Sequence, residues 1–276
     1  MPYLSPALNV MVSAARKAGR GLIRDFGEIE NLQVSLKGPA DFVSTADKRT
    51  ENQLLEELTR ARPGYCFLLE EGGRLDGPDK SHRFIIDPID GTTNFLHGIP
   101  HFAISIGLER DGQLVSAVVF NPVTDEMYVA EKGQGAYLND KRLRVAARKK
   151  LNESLIATGI PYLGHGDHER FSAELAAAMG ATAGVRRFGA ASLDLAYVAA
   201  GRFDGYWERG LSPWDVAAGI LLVREAGGVV TDLDGSGRVL ENGHILAASE
   251  LLHPQILKLI KDAARAISVE GRARDQ

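Results

Sequence analysis

Cysteine is almost missing from this chain. Its one thiol, Cys66, excludes an intrachain disulfide and any cysteine-rich zinc site, and it suits a reducing compartment as a small buried apolar residue. Basic excess is missing too. The 32 Lys and Arg stand against 36 Asp and Glu, a formal net charge of −4, so the cationic face of a dedicated nucleic-acid binder is not expected. No window approaches the roughly 20 apolar residues of a membrane span. The first apolar stretch, Leu8 to Val12, is soon followed by Arg16, Lys17 and Arg20 and lacks the core of a signal peptide. A soluble, cytoplasmic protein is therefore expected. Several chemical signatures are absent as well: no HExxH or histidine cluster, no Walker A run, no Gly-x-Ser-x-Gly elbow. Gly133-Gln134-Gly135 does not follow a strand in the GxGxxG manner and reads as a hairpin turn. There is no internal repeat and no Gly/Ser-rich linker.

What is present is material for a large core. Of 276 residues, 45% are hydrophobic and 25% charged, which suits one large domain or two intimate halves. Leu8, Met11, Val12, Ala15, Ala18, Leu22 and Phe26 recur at helical spacing, with Gly27 as a stop. A second helix begins near Ser44 and ends at Arg62-Pro63-Gly64. From 65 to about 145 the period changes to short apolar runs split by turn signals such as Asp111-Gly112 and Asn139-Asp140, an antiparallel meander. Beyond about 152, strands (155–158, 203–206, 229–231, 245–248) alternate with helices (168–179, 190–200, 213–226, 254–267). The expected organisation is an α+β half over 1–150, carrying most of the candidate metal ligands, and an α/β half over 151–276 that completes the site. The tail, about 268–276, is expected to be disordered.

The chemistry gathers at acids. Ile85-Ile86-Asp87-Pro88-Ile89-Asp90-Gly91-Thr92-Thr93 is an apolar strand ending in two carboxylates, a glycine and paired threonines. Two carboxylates so close repel unless a cation or proton intervenes. Hard divalent cations want such oxygen ligands, and Mg²⁺ is usually held by a few carboxylates, water and substrate phosphate. Glu70 and Glu71 end the apolar run Phe67-Leu68-Leu69. Asp47 in Ser44-Thr45-Ala46-Asp47 and Asp215 in Ser212-Pro213-Trp214-Asp215 each sit three residues after a serine, so each reads locally as a capping-box acid. A carboxylate at a helix start can cap and still face a metal.

Taken together, Ile86-Asp87-Pro88-Ile89-Asp90-Gly91-Thr92-Thr93-Asn94-Phe95 resembles the first signature of the inositol monophosphatase family. The stretch from Trp214-Asp215-Val216-Ala217-Ala218-Gly219 to Glu225-Ala226-Gly227-Gly228 resembles the second. Asp41 to Asp47 and the Glu70-Glu71 pair fall in the family's order, and the likeness runs from about residue 8 to 262, nearest to the bacterial SuhB-type branch. The resemblance implies a layered αβαβα sandwich and Mg²⁺-dependent hydrolysis of a phosphate monoester, foremost inositol 1-phosphate. It implies that Glu70, Asp87 and the Ile89 carbonyl hold one Mg²⁺. Asp87, Asp90 and Asp215 hold a second, and Glu70 shares a third. Thr92, paired with Asp47 and working beside Glu70, activates water. Gly91 and Thr92 amides bind phosphate, while Ala191 and Glu208, with Asp90 and Asp215, line the substrate. The departures are Leu69, where the family often has Gly, and Gly72, where it often has Ser. Other substrates known among relatives are fructose 1,6-bisphosphate, histidinol phosphate and adenosine 3′,5′-bisphosphate. Relatives also suggest a homodimer and, as a non-enzymatic alternative, a protein partner in transcription antitermination complexes, with no direct nucleic-acid binding. Lys37 and Asp41 are further candidates to position a metal or water. Arg148-Lys149-Lys150 reads as a solvated loop.

Overall fold

The computed structural model describes residues 5–29, 34–38 and 41–274; among these, the side chains of 35–43 and 267–274 lie outside the described set, and with them those of Lys37 and Asp41. Helix α1 (Pro6–Phe26) opens at Ser5, whose Oγ accepts from Leu8 N at 3.2 Å, with Pro6 in the first turn where its missing N–H costs nothing. Its buried stripe of Leu8, Met11, Ala15, Ala18 and Leu22 follows the period read from the sequence. A short hairpin, β1 (Val34–Gly38) and β2 (Asp41–Ser44), leads into α2 (Thr45–Ala61).

Helices α1 and α2 cover one face of an eight-stranded sheet. Its strands are β3 (Tyr65–Leu69), β4 (Gly73–Leu75), β5 (Asp79–Asp90), β6 (Ala103–Arg110), β7 (Gln113–Asn121), β8 (Glu126–Glu131), β9 (Gly135–Leu138) and β10 (Lys141–Arg142). They lie in the order β10-β9-β8-β7-β6-β5-β3-β4. From β5 to β10 each strand pairs antiparallel with the next, and β3 joins β5 in parallel. The inner strands are buried on both faces, which is why β5 and β6 read as unbroken apolar runs rather than alternating ones. Between β5 and β6 lies the short α3 (Thr92–Leu96).

The second sheet has the order β12-β11-β13-β15-β14. Its strands are β11 (Leu155–Thr158), β12 (Gly184–Arg186), β13 (Gly205–Glu208), β14 (Gly228–Thr231) and β15 (Ile245–Ser249), with β11 parallel to both neighbours and β15 antiparallel to both of its own. Between the two sheets lie α5 (Ala191–Ala199) and α6 (Pro213–Glu225). On the far face lie α4 (His168–Ala181) and α8 (His253–Arg274), and α7 (Val239–Asn242) is a single turn. Every residue of α6 from Val216 to Val223 is buried, as a helix packed on both sides requires. The layers therefore run helix, sheet, helix, sheet, helix, the αβαβα sandwich expected from the resemblance. The middle hydrophobic cluster draws Val119 and Tyr128 from the first sheet, Leu195 and Leu222 from α5 and α6, and Ile245 from the second sheet.

Three differences from the sequence reading matter. The strand expected at 203–206 lies at 205–208, because Phe203 packs into the middle cluster and Asp204 accepts from Leu155 N and Arg148, so Glu208 becomes the strand's last residue. That pairing also ties down Arg148, which was expected to be merely solvated, although it remains exposed. The last helix runs to Arg274 instead of stopping at Ile267, so the backbone of 268–274 is helical where a tail was expected. No helix among the described residues is long and apolar enough to cross a membrane.

Candidate active site

The signature run ends β5 with an irregularity. Asp87 lies opposite Ser105 and Asp90 opposite Ala103, so the pairing with β6 skips between them, at Pro88, which has no N–H to give. The extra residue bends the strand so that Asp87 and Asp90 turn toward the same side. Asp87 Oδ1 accepts from Ile89 N at 2.9 Å, which fixes the loop, and the Ile89 side chain anchors in the first core. Gly91 then adopts φ 91°, a left-handed conformation costly for any side chain, and a Cβ there would stand 3.0 Å from the His101 carbonyl oxygen. Thr92 follows at the start of α3.

Asp47 and Asp215 arrive from helix starts. Asp47 Oδ2 accepts from Ser44 N and Ser44 Oγ, both at 2.7 Å, and Asp215 Oδ2 accepts from Ser212 N at 2.7 Å. Both are capping boxes, so the local reading was right, and both acids nevertheless face the site. The second oxygen of Asp47 points at Thr92: Oγ1 of Thr92 lies 3.2 Å from Asp47 Oδ1 and 3.0 Å from the Ile89 carbonyl. Asp90 reaches across to α5, accepting from Ala191 N at 3.2 Å, from Ser192 N at 2.7 Å and from Ser192 Oγ. Glu70 follows β3, with its N–H donated to the Ile86 carbonyl of β5 at 3.2 Å. The buried Glu51 of α2 accepts from Glu71 N at 2.9 Å and so holds the Glu70-Glu71 corner. Glu208 ends β13, where the Tyr206 hydroxyl donates to it. Its carboxylate fills the space beside Gly159, where any Cβ would overlap it.

These acids feel one another. Burial pushes Asp87 well above the usual carboxylate range, and the charges of Glu70, Asp90 and Asp215 push it further. Asp215 is raised likewise, first by burial and then by Asp90. Burial lifts Asp90 to about 6 against the pull of the Ser192 and Ala191 donors. It lifts Asp47 to about 6 against the Ser44 bonds, and Glu208 to about 7 against the Tyr206 hydroxyl. Among the described residues no three Asp, Glu, His or Cys side chains close on one point as a finished metal cage. The arrangement is a looser ring of oxygen donors, each made harder to ionise by burial and by neighbouring charge. Such a ring suits a hard dication, which would reverse the repulsion.

Every predicted site residue thus gathers at one edge of the sandwich, between the ends of β3, β5 and β13 and the starts of α2, α5 and α6. Sequence reasoning missed Glu51, Ser192, Asp194, Gly159 and Tyr206. Asp194 was findable, being a lone acid in the Ala-rich helix at 190–200, and it is 1% exposed. The others carry no signal without the neighbour they touch.

The profile of the inositol monophosphatase family matches residues 3–265. An inositol-1-monophosphatase of Rhizobium meliloti is 61% identical over 257 residues, covering 93% of this chain and 97% of that protein. A Nus factor SuhB of Pseudomonas aeruginosa is 44% identical over 262 residues, covering 94% and 97%. The crystal structure of the extragenic suppressor protein suhB from Bartonella henselae superposes with a TM-score of 0.91 at 54% identity, covering 93% of this chain and 99% of that one.

Proposed function

Because the chain belongs to the inositol monophosphatase family, we propose that it hydrolyses D-myo-inositol 1-phosphate to myo-inositol and phosphate, with Mg²⁺ at the acid ring and water as nucleophile. The observation that carries the reading is the mutual repulsion of Glu70, Asp87, Asp90 and Asp215 at the end of β5. The donor set, all oxygen and mostly carboxylate, fits Mg²⁺. Glu70, Asp87, the Ile89 carbonyl, Asp90 and Asp215 are the residues that would hold it, as two to three ions. Bound there, Mg²⁺ supplies neutralisation of the phosphoryl charge and a lowered pKa for water.

The chain's own residues supply position. The Thr92 hydroxyl, donating its proton to Asp47 Oδ1, keeps its lone pairs to accept from the attacking water. Asp47, held near 6 by burial, can take up a proton at neutral pH, and Glu70 stands as a second acceptor beside it. The backbone amides of Gly91 and Thr92 face the phosphate. Glu208 accepts from a hydroxyl of the alcohol, with Ala191 lining the same wall. As the water oxygen bonds to phosphorus, the ester P–O bond breaks and the alcohol leaves with a proton. Such a transfer asks mainly for positioning and charge neutralisation, so the lack of a protein nucleophile is no obstacle.

The test is phosphate release from D-myo-inositol 1-phosphate with and without Mg²⁺, beside fructose 1,6-bisphosphate, histidinol phosphate and adenosine 3′,5′-bisphosphate. Mg²⁺-dependent turnover of the inositol ester, lost in Asp90→Asn with folding intact, is the expected result. Preference for a rival keeps the mechanism and changes the substrate. No turnover of any ester defeats the reading. We further expect a cytoplasmic homodimer, to be checked by fractionation and sedimentation.

A second reading has one support, the name Nus factor SuhB carried by the P. aeruginosa relative. It holds that the chain also joins a transcription complex through protein contacts. Specific recovery of transcription proteins by both wild type and Asp90→Asn is its expected signature.

A further inference from the structure

Arg187 lies between β12 and α5, on the strip that borders the site. It is exposed, yet its guanidinium is folded back: Nη1 lies 2.7 Å and Cζ 3.1 Å from where a Cβ on Gly189 would stand. That approach is possible only because residue 189 is glycine, at φ 81°. The strip itself is clamped against the signature loop. Asn94 Nδ2 donates to the Phe188 carbonyl at 2.7 Å and to the His101 carbonyl at 2.8 Å, and the Gly189 carbonyl lies 3.3 Å from the Cβ position of Gly91. Two residues beyond Gly189, the Ala191 amide binds Asp90. Arg187 therefore stands at the rim of the site, close to the phosphate-facing loop.

Two acids lie near it. Its charge opposes the effect of burial at both Glu208 and Asp194. Asp194 is 1% exposed, and its Oδ1 has no hydrogen-bond partner among the described residues. Arg187, for its part, makes no hydrogen bond or ion pair of its own among the described residues. An exposed guanidinium with all its donors uncommitted, set beside a carboxylate at the pocket wall, has the chemistry of a hydroxyl-pair reader. Each hydroxyl is both donor and acceptor, so a neighbouring pair can give protons to a carboxylate and take them from a planar fork. A second anionic group on the substrate fits less well, because Glu208, Asp194 and Asp90 crowd negative charge around the same place.

We propose that Arg187 is a further specificity-determining residue, its guanidinium and the Glu208 carboxylate together holding a pair of adjacent hydroxyls on the alcohol part of a phosphate monoester. Asp194 lies too deep to touch substrate and acts as a positioning residue, keeping the guanidinium turned toward Glu208. The inference rests on the phosphatase reading and narrows its substrate class to monophosphates of polyols.

The experiment compares kcat/KM for D-myo-inositol 1-phosphate, fructose 1,6-bisphosphate and phenyl phosphate in wild type, Arg187→Met and Arg187→Lys, all with Mg²⁺. The ratio of inositol ester to phenyl ester should fall about tenfold in Arg187→Met, the size expected for one or two lost hydrogen bonds to a charged group, chiefly through KM. Arg187→Lys should recover part of it. An unchanged ratio, or an equal loss on both esters, would mean that Arg187 only balances charge, and overturns the proposal. A larger loss on fructose 1,6-bisphosphate than on the inositol ester would mean that it reads a second phosphate, and overturns it too. If wild type hydrolyses none of the three, the phosphatase reading fails and takes this inference with it. Hydrolysis with an unchanged ratio removes the inference alone.

Discussion

Leu69 occupies the space that a side chain at position 72 would need. Its Cδ1 lies 3.0 Å from the Cβ position of Gly72, and Glu51 Oε1 lies 3.1 Å from the same point. The two departures from the family pattern are therefore one feature: a large residue before the Glu pair, and none after it. Leu69 is 1% exposed and belongs to the first core. Gly72→Ser should destabilise the protein by about 1–2 kcal/mol by overpacking. In a Leu69→Ala background the same change should cost at least about 0.5 kcal/mol less, since residues in contact are not additive. Chemical denaturation of the four variants measures the coupling, and strict additivity would refute it.

The pairing of Thr92 with Asp47 joins residues far apart in the chain through one hydroxyl. Thr92→Val keeps the shape and removes the hydroxyl. A fall in kcat of about a hundredfold is expected, within the range for a lost proton-handling group. Thr92→Ser should retain most of the activity. Equal damage from both substitutions would point to packing of the methyl group instead.

Raised carboxyl pKa values have a consequence for stability. In the folded protein without metal, Asp87, Asp90 and Asp215 hold protons at pH values where the unfolded chain, with acids near 4, has lost them. Their contribution is fully present below about pH 4 and is lost as pH rises through the folded values, which for Asp90 is about 6. Mg²⁺ binds the deprotonated acids and stabilises by mass action. Added Mg²⁺ should therefore raise Tm more at pH 8 than at pH 5.5. Asp90→Asn should raise the metal-free Tm at pH 8 and shrink the Mg²⁺ increment. Thermal scans at the two pH values decide it; an increment equal at both would contradict the picture.

His101 works in the opposite direction. Burial against Phe188 and Tyr197 lowers its pKa to about 4, although Glu126 pulls the other way. Below pH 6.5 the unfolded chain gains a proton that the folded ring refuses. This stability is present above 6.5 and is lost as pH falls toward 4, by about 2 kcal/mol once partial exposure is allowed for. His101→Phe, which keeps the ring packing, should flatten that part of the acid denaturation curve. An unaltered curve would show that His101 does not titrate in this window.

Much of this was legible in the residues and some was not. Period and turn chemistry located α1, α2, the meander and α6, because each is amphipathic or wholly apolar and bounded by Gly or Pro. The acid run at 85–93 was legible because two carboxylates and a glycine make a poor end for an ordinary strand. Asp47 and Asp215 were ambiguous, since a capping box explains each completely at the local level and only the folded neighbours show the second role. Gly159 and Arg187 were silent: one matters because Glu208 lies against it, the other because Gly189 leaves room. The strand at 205–208 was misplaced by two residues because Phe203 is as apolar as a strand residue and spends that character on the middle layer.

The capping boxes at Ser44 and Ser212 also bind catalysis to helix initiation. The same carboxylates that close the first turns of α2 and α6 present their chemistry to the site. Fraying of either first turn, a local event far cheaper than global unfolding, would carry Asp47 or Asp215 out of register. Enzyme turnover in mild urea thus becomes a gauge of two helix N-termini, fading before fluorescence or circular dichroism reports any loss of the sandwich.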